Sequence, residues 1–146
     1  DGALTLPAVV DLYGRRGFFQ HQSVIPRSEA PAALRRMLGL TSERGLGSFL
    51  IVIKEFGNMQ SPGAISFPME GTTFALDFAN RGTNTEAMIR DLAEIATTAG
   101  GRLYPAKDAR MTAAQFRAGY PSWEKVEHHR DPRILSDFWR RTALGR

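Results

Sequence analysis

Gly100-Gly101-Arg102-Leu103-Tyr104-Pro105-Ala106-Lys107-Asp108-Ala109-Arg110 is the stretch on which the fold turns. A segment of helical period runs into the two glycines, which suit the left-handed cap that closes a helix. Arg102 to Tyr104 has room only for a short strand, because Pro105 has no N–H to offer a ladder. Lys107, Asp108 and Arg110 then crowd into a turn, and another helical segment follows. Three charges held between a glycine pair and a helix read as a solvated loop or as a placed cluster. Composition alone favours the solvated loop.

Upstream of this stretch the pattern alternates between strand and helix. Residues 1–17 start extended and turn at Gly14 and Gly17. Phe18 to Ile25 has the alternation of a strand, with Phe18, Gln20, Gln22 and Val24 on one face and Phe19, His21, Ser23 and Ile25 on the other. Ser28 is placed to cap a helix running to about Leu38, with Gly39 after it. Phe49 to Phe56 is the clearest strand, and Leu50, Val52, Lys54 and Phe56 share a face. Ala64 to Phe67 reads as a short strand. Thr73 to Ala79 reads as the next, with Phe74, Leu76 and Phe78 on one side and Thr73, Ala75 and Asp77 on the other. Thr83 and Glu86 have capping-box spacing ahead of a helix whose stripe is Met88, Leu92, Ile95 and Ala99. The order β-α-β-β-β-α-β predicts an α+β fold, a ferredoxin-like antiparallel sheet with one additional short strand and helices on one face. Gln20, Gln22, Lys54, Thr73 and Asp77 would lie on the opposite face. Beside Phe18 and Phe56, that face reads as an ordinary wet sheet surface or as the wall of a polar ligand cavity.

Downstream the register changes to a helical C-terminal tail. Thr112 and Gln115 form a capping box before Phe116. Pro121-Ser122 opens a helix with Trp123 and Val126. Asp131-Pro132 stops it and starts a last helix with Ile134, Leu135, Phe138 and Trp139. The predicted division is 1–103, a sheet domain, and 104–146, a tail that docks on something else, with self-association through the tail one option.

The composition is that of one globular domain: 42% apolar and 23% charged over 146 residues. There is no cysteine, which excludes disulfides, thiolate nucleophiles and Cys-ligated metals. His128 and His129 are neighbours about 100° apart on a helix, which does not make a metal site. No G-x-S-x-G elbow, phosphate loop or dinucleotide fingerprint occurs. Residues 1–100 hold 9 Lys/Arg against 10 Asp/Glu, whereas residues 101–146 hold 10 against 5. The basic surplus therefore belongs to the tail, where it could meet nucleic acid, an acidic protein face or a phosphorylated cofactor. Arg16-Gly17-Phe18-Phe19 echoes an RNA-binding signature, but it precedes the first strand. The phenylalanines of the later strand fall on the helix-covered face, where bases cannot stack. A ferredoxin-like module that binds a ligand or nucleic acid without catalysis is the alternative reading. No apolar run approaches the roughly 18–20 residues that span a bilayer, and the location expected is cytoplasmic or membrane-peripheral.

Three blocks in order carry a resemblance: Gly17-Phe18-Phe19-Gln20-His21-Gln22-Ser23-Val24-Ile25-Pro26, Ser48-Phe49-Leu50-Ile51-Val52-Ile53-Lys54-Glu55-Phe56-Gly57 and Leu103-Tyr104-Pro105-Ala106-Lys107-Asp108. Ala64-Ile65-Ser66-Phe67-Pro68, Tyr120-Pro121, Asp131-Pro132 and Ser136-Asp137-Phe138-Trp139-Arg140-Arg141 continue it. From about Tyr13 onward the chain resembles the C-terminal third of FAD-linked oxidoreductases of the vanillyl-alcohol oxidase type, with aldonolactone oxidases more distant. The resemblance implies a substrate cap followed by a tail returning to a separate FAD-binding domain, so that the chain is a fragment, inactive and unable to hold FAD alone. It implies oxidation of a sugar or polyol hydroxyl by hydride transfer to flavin. It assigns Gln20, Gln22, Lys54, Phe56, Thr73 and Ala75 to substrate binding, Tyr104 and Lys107 to the flavin, and a catalytic part to Lys107. Mycobacterial members have cysteine where this chain has Ala75 and an amide side chain where it has Thr73, which leaves the substrate open.

Overall fold

The computed structural model describes residues 13–48, 50–108 and 110–146. Four strands and two long helices come first: β1 (Phe18–Ile25), α1 (Ala30–Glu43), β2 (Ile51–Phe56), β3 (Gly71–Ala79), α2 (Thr83–Thr98) and β4 (Arg102–Leu103). A single 3-10 turn at Pro105–Lys107 leads to the short helices α3 (Ala113–Gly119), α4 (Trp123–His129) and α5 (Asp137–Trp139), the last running into a π-turn at Arg140–Leu144. The strands form one antiparallel sheet in the order β2-β3-β1-β4. Each of the two β-α-β units is thus split by a strand of the other, and the α+β class holds.

The register fixes the two faces. Phe19, His21 and Ser23 oppose Phe78, Leu76 and Phe74, and this side packs on the helices. Phe74, Leu76 and Phe78 meet Met37 of α1 and Met88 and Leu92 of α2 in a core from which water is excluded. Burial of such side chains stabilises by about 1.5–3 kcal/mol each. The opposite face carries Gln20 opposite Asp77, Gln22 opposite Ala75, and Lys54 opposite Thr73. Period-two alternation therefore placed the polar residues correctly.

Several expected boundaries shift. Ala64 to Phe67 is not a strand but an irregular segment between Pro62 and Pro68. Its Phe67 folds over the polar face, stacking on Tyr104 (4.5 Å between centroids) and meeting Phe56 edge-on (6.0 Å). The helix α1 continues through Gly39 to Glu43 and its N-cap is Glu29, not Ser28. In α2 the N-cap is Gly82, so the Thr83–Glu86 box does not form. Thr85 anchors that end instead, accepting from the Arg81 N–H (2.9 Å) and donating to the Ala79 carbonyl (3.0 Å). The box at Thr112 and Gln115 is present in both directions. The last helix starts at Asp137, capped by Ser136, rather than after Pro132. Phe49 lies outside the described residues.

The tail packs on the same core. Phe116 and Tyr120 are buried, and the Tyr120 hydroxyl donates to the Leu103 carbonyl at 2.6 Å. Trp139 is buried against Phe116 and its indole N–H donates to Glu127 at 2.6 Å, while Trp123 and Phe138 are half-buried. Among the described residues no helix is long and apolar enough to cross a membrane, and no group of three or more His, Asp or Glu is arranged to hold a metal.

Candidate functional site

Pro105 opens a cleft at the edge of the sheet. Gln22 accepts the Tyr104 N–H at 2.9 Å, and the ladder between β1 and β4 stops there because the next residue has no donor. The outer edge of β1 from Gln22 back toward Phe18 is left without a neighbouring strand. A cleft of about 320 Å³ occupies the space, between β1, the Ile89–Glu94 side of α2 and the turn that carries Lys107. Gln20, Gln22, Tyr104 and Lys107 all line it. Lys54, Phe56, Thr73 and Ala75 share the polar sheet face but lie outside the cleft, on the strands beyond β1. Phe56 connects with it through Phe67 and Tyr104.

The glutamines are oriented by their neighbours. Gln20 donates its amide N–H to Asp77 Oδ1 at 2.5 Å, and Asp77 Oδ2 accepts the Tyr13 hydroxyl at 3.2 Å. Gln22 directs its amide nitrogen to Thr73 Oγ1 at 3.4 Å. Each side-chain carbonyl is thereby left to accept from a hydroxyl donor, which is the polarity needed to hold an alcohol.

Lys107 is exposed and its ammonium has no hydrogen bond or ion pair within the described chain. Pairing with adjacent Asp108, the obvious local option, does not occur. Asp108 accepts the Met111 N–H at 2.7 Å and an ion pair from Arg141, which also donates to the Met111 carbonyl. Arg141 therefore clamps the turn from 33 positions away in sequence, a long-range partner that no local pattern announces. Phe67, the floor beneath Tyr104, was likewise hidden inside a false strand. His21 lies on the helix side of β1, buried, with Nε2 at 3.1 Å from Ser23 Oγ. Burial lowers its pKa from 6.5 to about 4, so it is neutral at neutral pH.

The site offers two oriented amide carbonyls, two uncommitted ammonium groups (Lys54 and Lys107) and an aromatic ring seated on a second ring. Among the described residues it has no cluster for a metal, and the Ser23–His21 hydroxyl–imidazole pair is buried on the helix side of β1. Such a set can bind and orient a hydroxyl-bearing molecule and stabilise negative charge.

No protein-family model matches the chain. Over 138 residues, 90% of the chain, it is 37% identical to decaprenylphosphoryl-beta-D-ribose oxidase of Mycolicibacterium smegmatis (strain ATCC 700084 / mc(2)155), of which the match covers 29%. Over 116 residues, 76% of the chain, it is 32% identical to an uncharacterized protein in the mprA 5' region of Streptomyces coelicolor, of which the match covers 31%. The chain thus spans less than a third of the length of these curated relatives. The X-ray structure of prephenate dehydratase from Streptococcus mutans superposes on 60% of the chain, and on 39% of its own, with a TM-score of 0.39 and 18% identity. A likeness that slight bears on neither fold nor function.

Proposed function

The chain belongs with the FAD-linked oxidoreductases of the vanillyl-alcohol oxidase type, and from that premise we propose that it forms the substrate side of an enzyme oxidising a hydroxyl of a lipid-linked sugar. The observation that carries the reading is the 37% identity over 90% of the chain to the decaprenylphosphoryl-ribose oxidase. The polar face supports it, because every residue the resemblance assigns lies on that face or at its edge. In this reading the FAD-binding domain is a separate part of the longer protein, and the tail returns to it.

The donor set fits a flavin. Asp108 is already committed to Arg141 and Met111, so the Lys107 charge is available to an anionic or electron-rich partner. Tyr104, held against Phe67, presents an aromatic surface beside it. Bound FAD supplies the acceptor for the hydride that leaves the carbinol carbon. Gln20 and Gln22 hold the substrate hydroxyls through their carbonyl oxygens, and the hydrogen bonds to Asp77 and Thr73 keep both amides in that orientation. Lys54 and Phe56 bound the sugar on the far side. Thr73 and Ala75 lie on the middle strand β3, between β2, which carries Lys54 and Phe56, and β1, which carries the glutamines. Lys107 would set positive charge beside the group that gains negative charge on accepting the hydride, an effect typically worth about 10²–10³-fold in rate. No side chain of the described residues is assigned as the base.

The test replaces the matching segment of the Mycolicibacterium oxidase with this chain and measures turnover on a panel. Decaprenylphosphoryl-ribose should be oxidised in preference to free pentoses, aldonolactones and polyols. A folded, FAD-loaded chimera that oxidises none of them would contradict the reading.

A further inference from the structure

Half of the tail's ten basic residues are ion-paired in the fold. Arg110, Arg130, Arg133, Arg140 and Arg141 each meet a carboxylate. A separate group of cations without ion pairs among the described residues stands at the other end of the sheet. Arg15 and Arg16 sit in the turn closed by the Gly17 N–H on the Gly14 carbonyl (3.1 Å), and Arg81 follows β3. Asn80 joins the two segments, donating its N–H to the Gly17 carbonyl at 2.9 Å and its side-chain amide to the Arg16 carbonyl at 3.2 Å. The three arginines therefore border one shallow recess of about 380 Å³. Among the described residues no carboxylate lines it, and none of the three guanidinium groups makes a hydrogen bond or ion pair. Beside it the Phe18 ring is 42% exposed and stacks on Tyr13 at 4.4 Å.

We propose that Arg15, Arg16 and Arg81 form a docking surface for the anionic headgroups of a lipid bilayer, with Phe18 entering the interface beside them. Clustered cationic charge is attracted to an anionic surface, and an exposed aromatic beside it is the pattern of a protein that lies on a membrane. The proposal rests on the lipid-linked substrate proposed above. Gln20 is four residues from Arg16, roughly 13 Å along an extended chain. A bilayer held at the arginines would thus stand at the end of the polar face on which the sugar is oxidised. The basic patch is too open to select one phosphate, and its charge would act on a surface.

Each arginine near an anionic surface contributes roughly fivefold in partition. The full 146-residue chain, free of cofactor, is sedimented with phosphatidylglycerol vesicles and with phosphatidylcholine vesicles. The proposal expects binding to the first and not the second, a loss of about 25-fold or more in R15E/R16E, and binding retained in R15K/R16K/R81K. R35E/R36E reverses two unpaired charges on α1, beside Glu43, and should stay within about twofold of the parent. Equal loss in both glutamate pairs, or equal binding to both vesicles, would overturn it. Displacement by inorganic phosphate at constant ionic strength would overturn it in favour of a discrete phosphate site. Because neither flavin nor turnover is read, failure here leaves the oxidoreductase reading standing, and an inactive chimera leaves this surface standing.

Discussion

His21 stands at the bare edge of β1 with its imidazole turned inward, and burial holds its pKa at about 4 against an ordinary 6.5. The unfolded chain takes up that proton as the pH falls through 6.5, while the native state refuses it until about 4. The unfolded state therefore binds more protons in that window, and stability must fall with falling pH, by roughly 3 kcal/mol over the full interval. Urea midpoints measured from pH 7 to pH 4 should decline in the parent chain. In His21→Gln, which keeps a hydrogen-bonding group near Ser23, the slope should flatten. An identical slope in both would place the proton uptake elsewhere. Glu127 adds a separate acid loss. The hydrogen bond from Arg130 first, then that from Trp139, lowers its pKa to about 2, so its contribution disappears at lower pH than that of His21. Gln22 differs from both, because it has only to position substrate. Gln22→Ala in the chimera should chiefly raise KM and leave kcat nearly unchanged; a matching fall in kcat would give the amide a role in the transition state.

The Gly100–Gly101 pair shows what a sequence does and does not disclose about an element. Both glycines read as a helix cap, and the cap is present: the Gly100 N–H bonds the Thr97 carbonyl and the Gly101 N–H bonds that of Ala96. Only Gly100, at φ +71°, needs the left-handed region. Gly101 is required for a different reason. A Cβ there would come within 2.4 Å of the Val24 carbonyl oxygen and 2.9 Å of that of Ala96. Gly100→Asn should therefore be mild, because asparagine tolerates that conformation, whereas Gly101→Ala should destabilise by about 1–3 kcal/mol by forcing β1 from α2. Equal urea midpoints for the two variants would refute this division. Sheet faces were legible for a comparable reason. Alternation in Phe18–Ile25, Phe49–Phe56 and Thr73–Ala79 is a local property, and it put Gln20, Gln22, Lys54, Thr73 and Asp77 on one face before any pairing was known. Helix starts were not legible where tertiary contacts decide them, as at Thr85, nor was the false strand at Ala64–Phe67. There the alternation serves a single ring laid over Tyr104. The Arg141 clamp on Asp108 was hidden because its partners meet only in the folded chain.

At the scale of the molecule, the turn at Lys107 is held from both sides. Upstream, β4 ties Leu103 and Tyr104 to β1; downstream, Tyr120 bonds Leu103 and Arg141 grips Asp108. Residues before and after this turn share one hydrophobic core, so the tail braces the site as well as following it. That bracing holds the backbone of the turn that carries Lys107, whose ammonium meets no carboxylate in the described chain, and its proposed role is to assist flavin reduction. The measurement is single-turnover reduction of the chimera by saturating decaprenylphosphoryl-ribose, followed by bleaching of oxidised-flavin absorbance in a stopped-flow instrument. Reduction should be fast in the parent and about 10²–10³-fold slower in a folded, fully FAD-loaded Lys107→Met variant. An unchanged rate in that variant would contradict the account and leave Lys107 as an ordinary solvated charge on a braced turn.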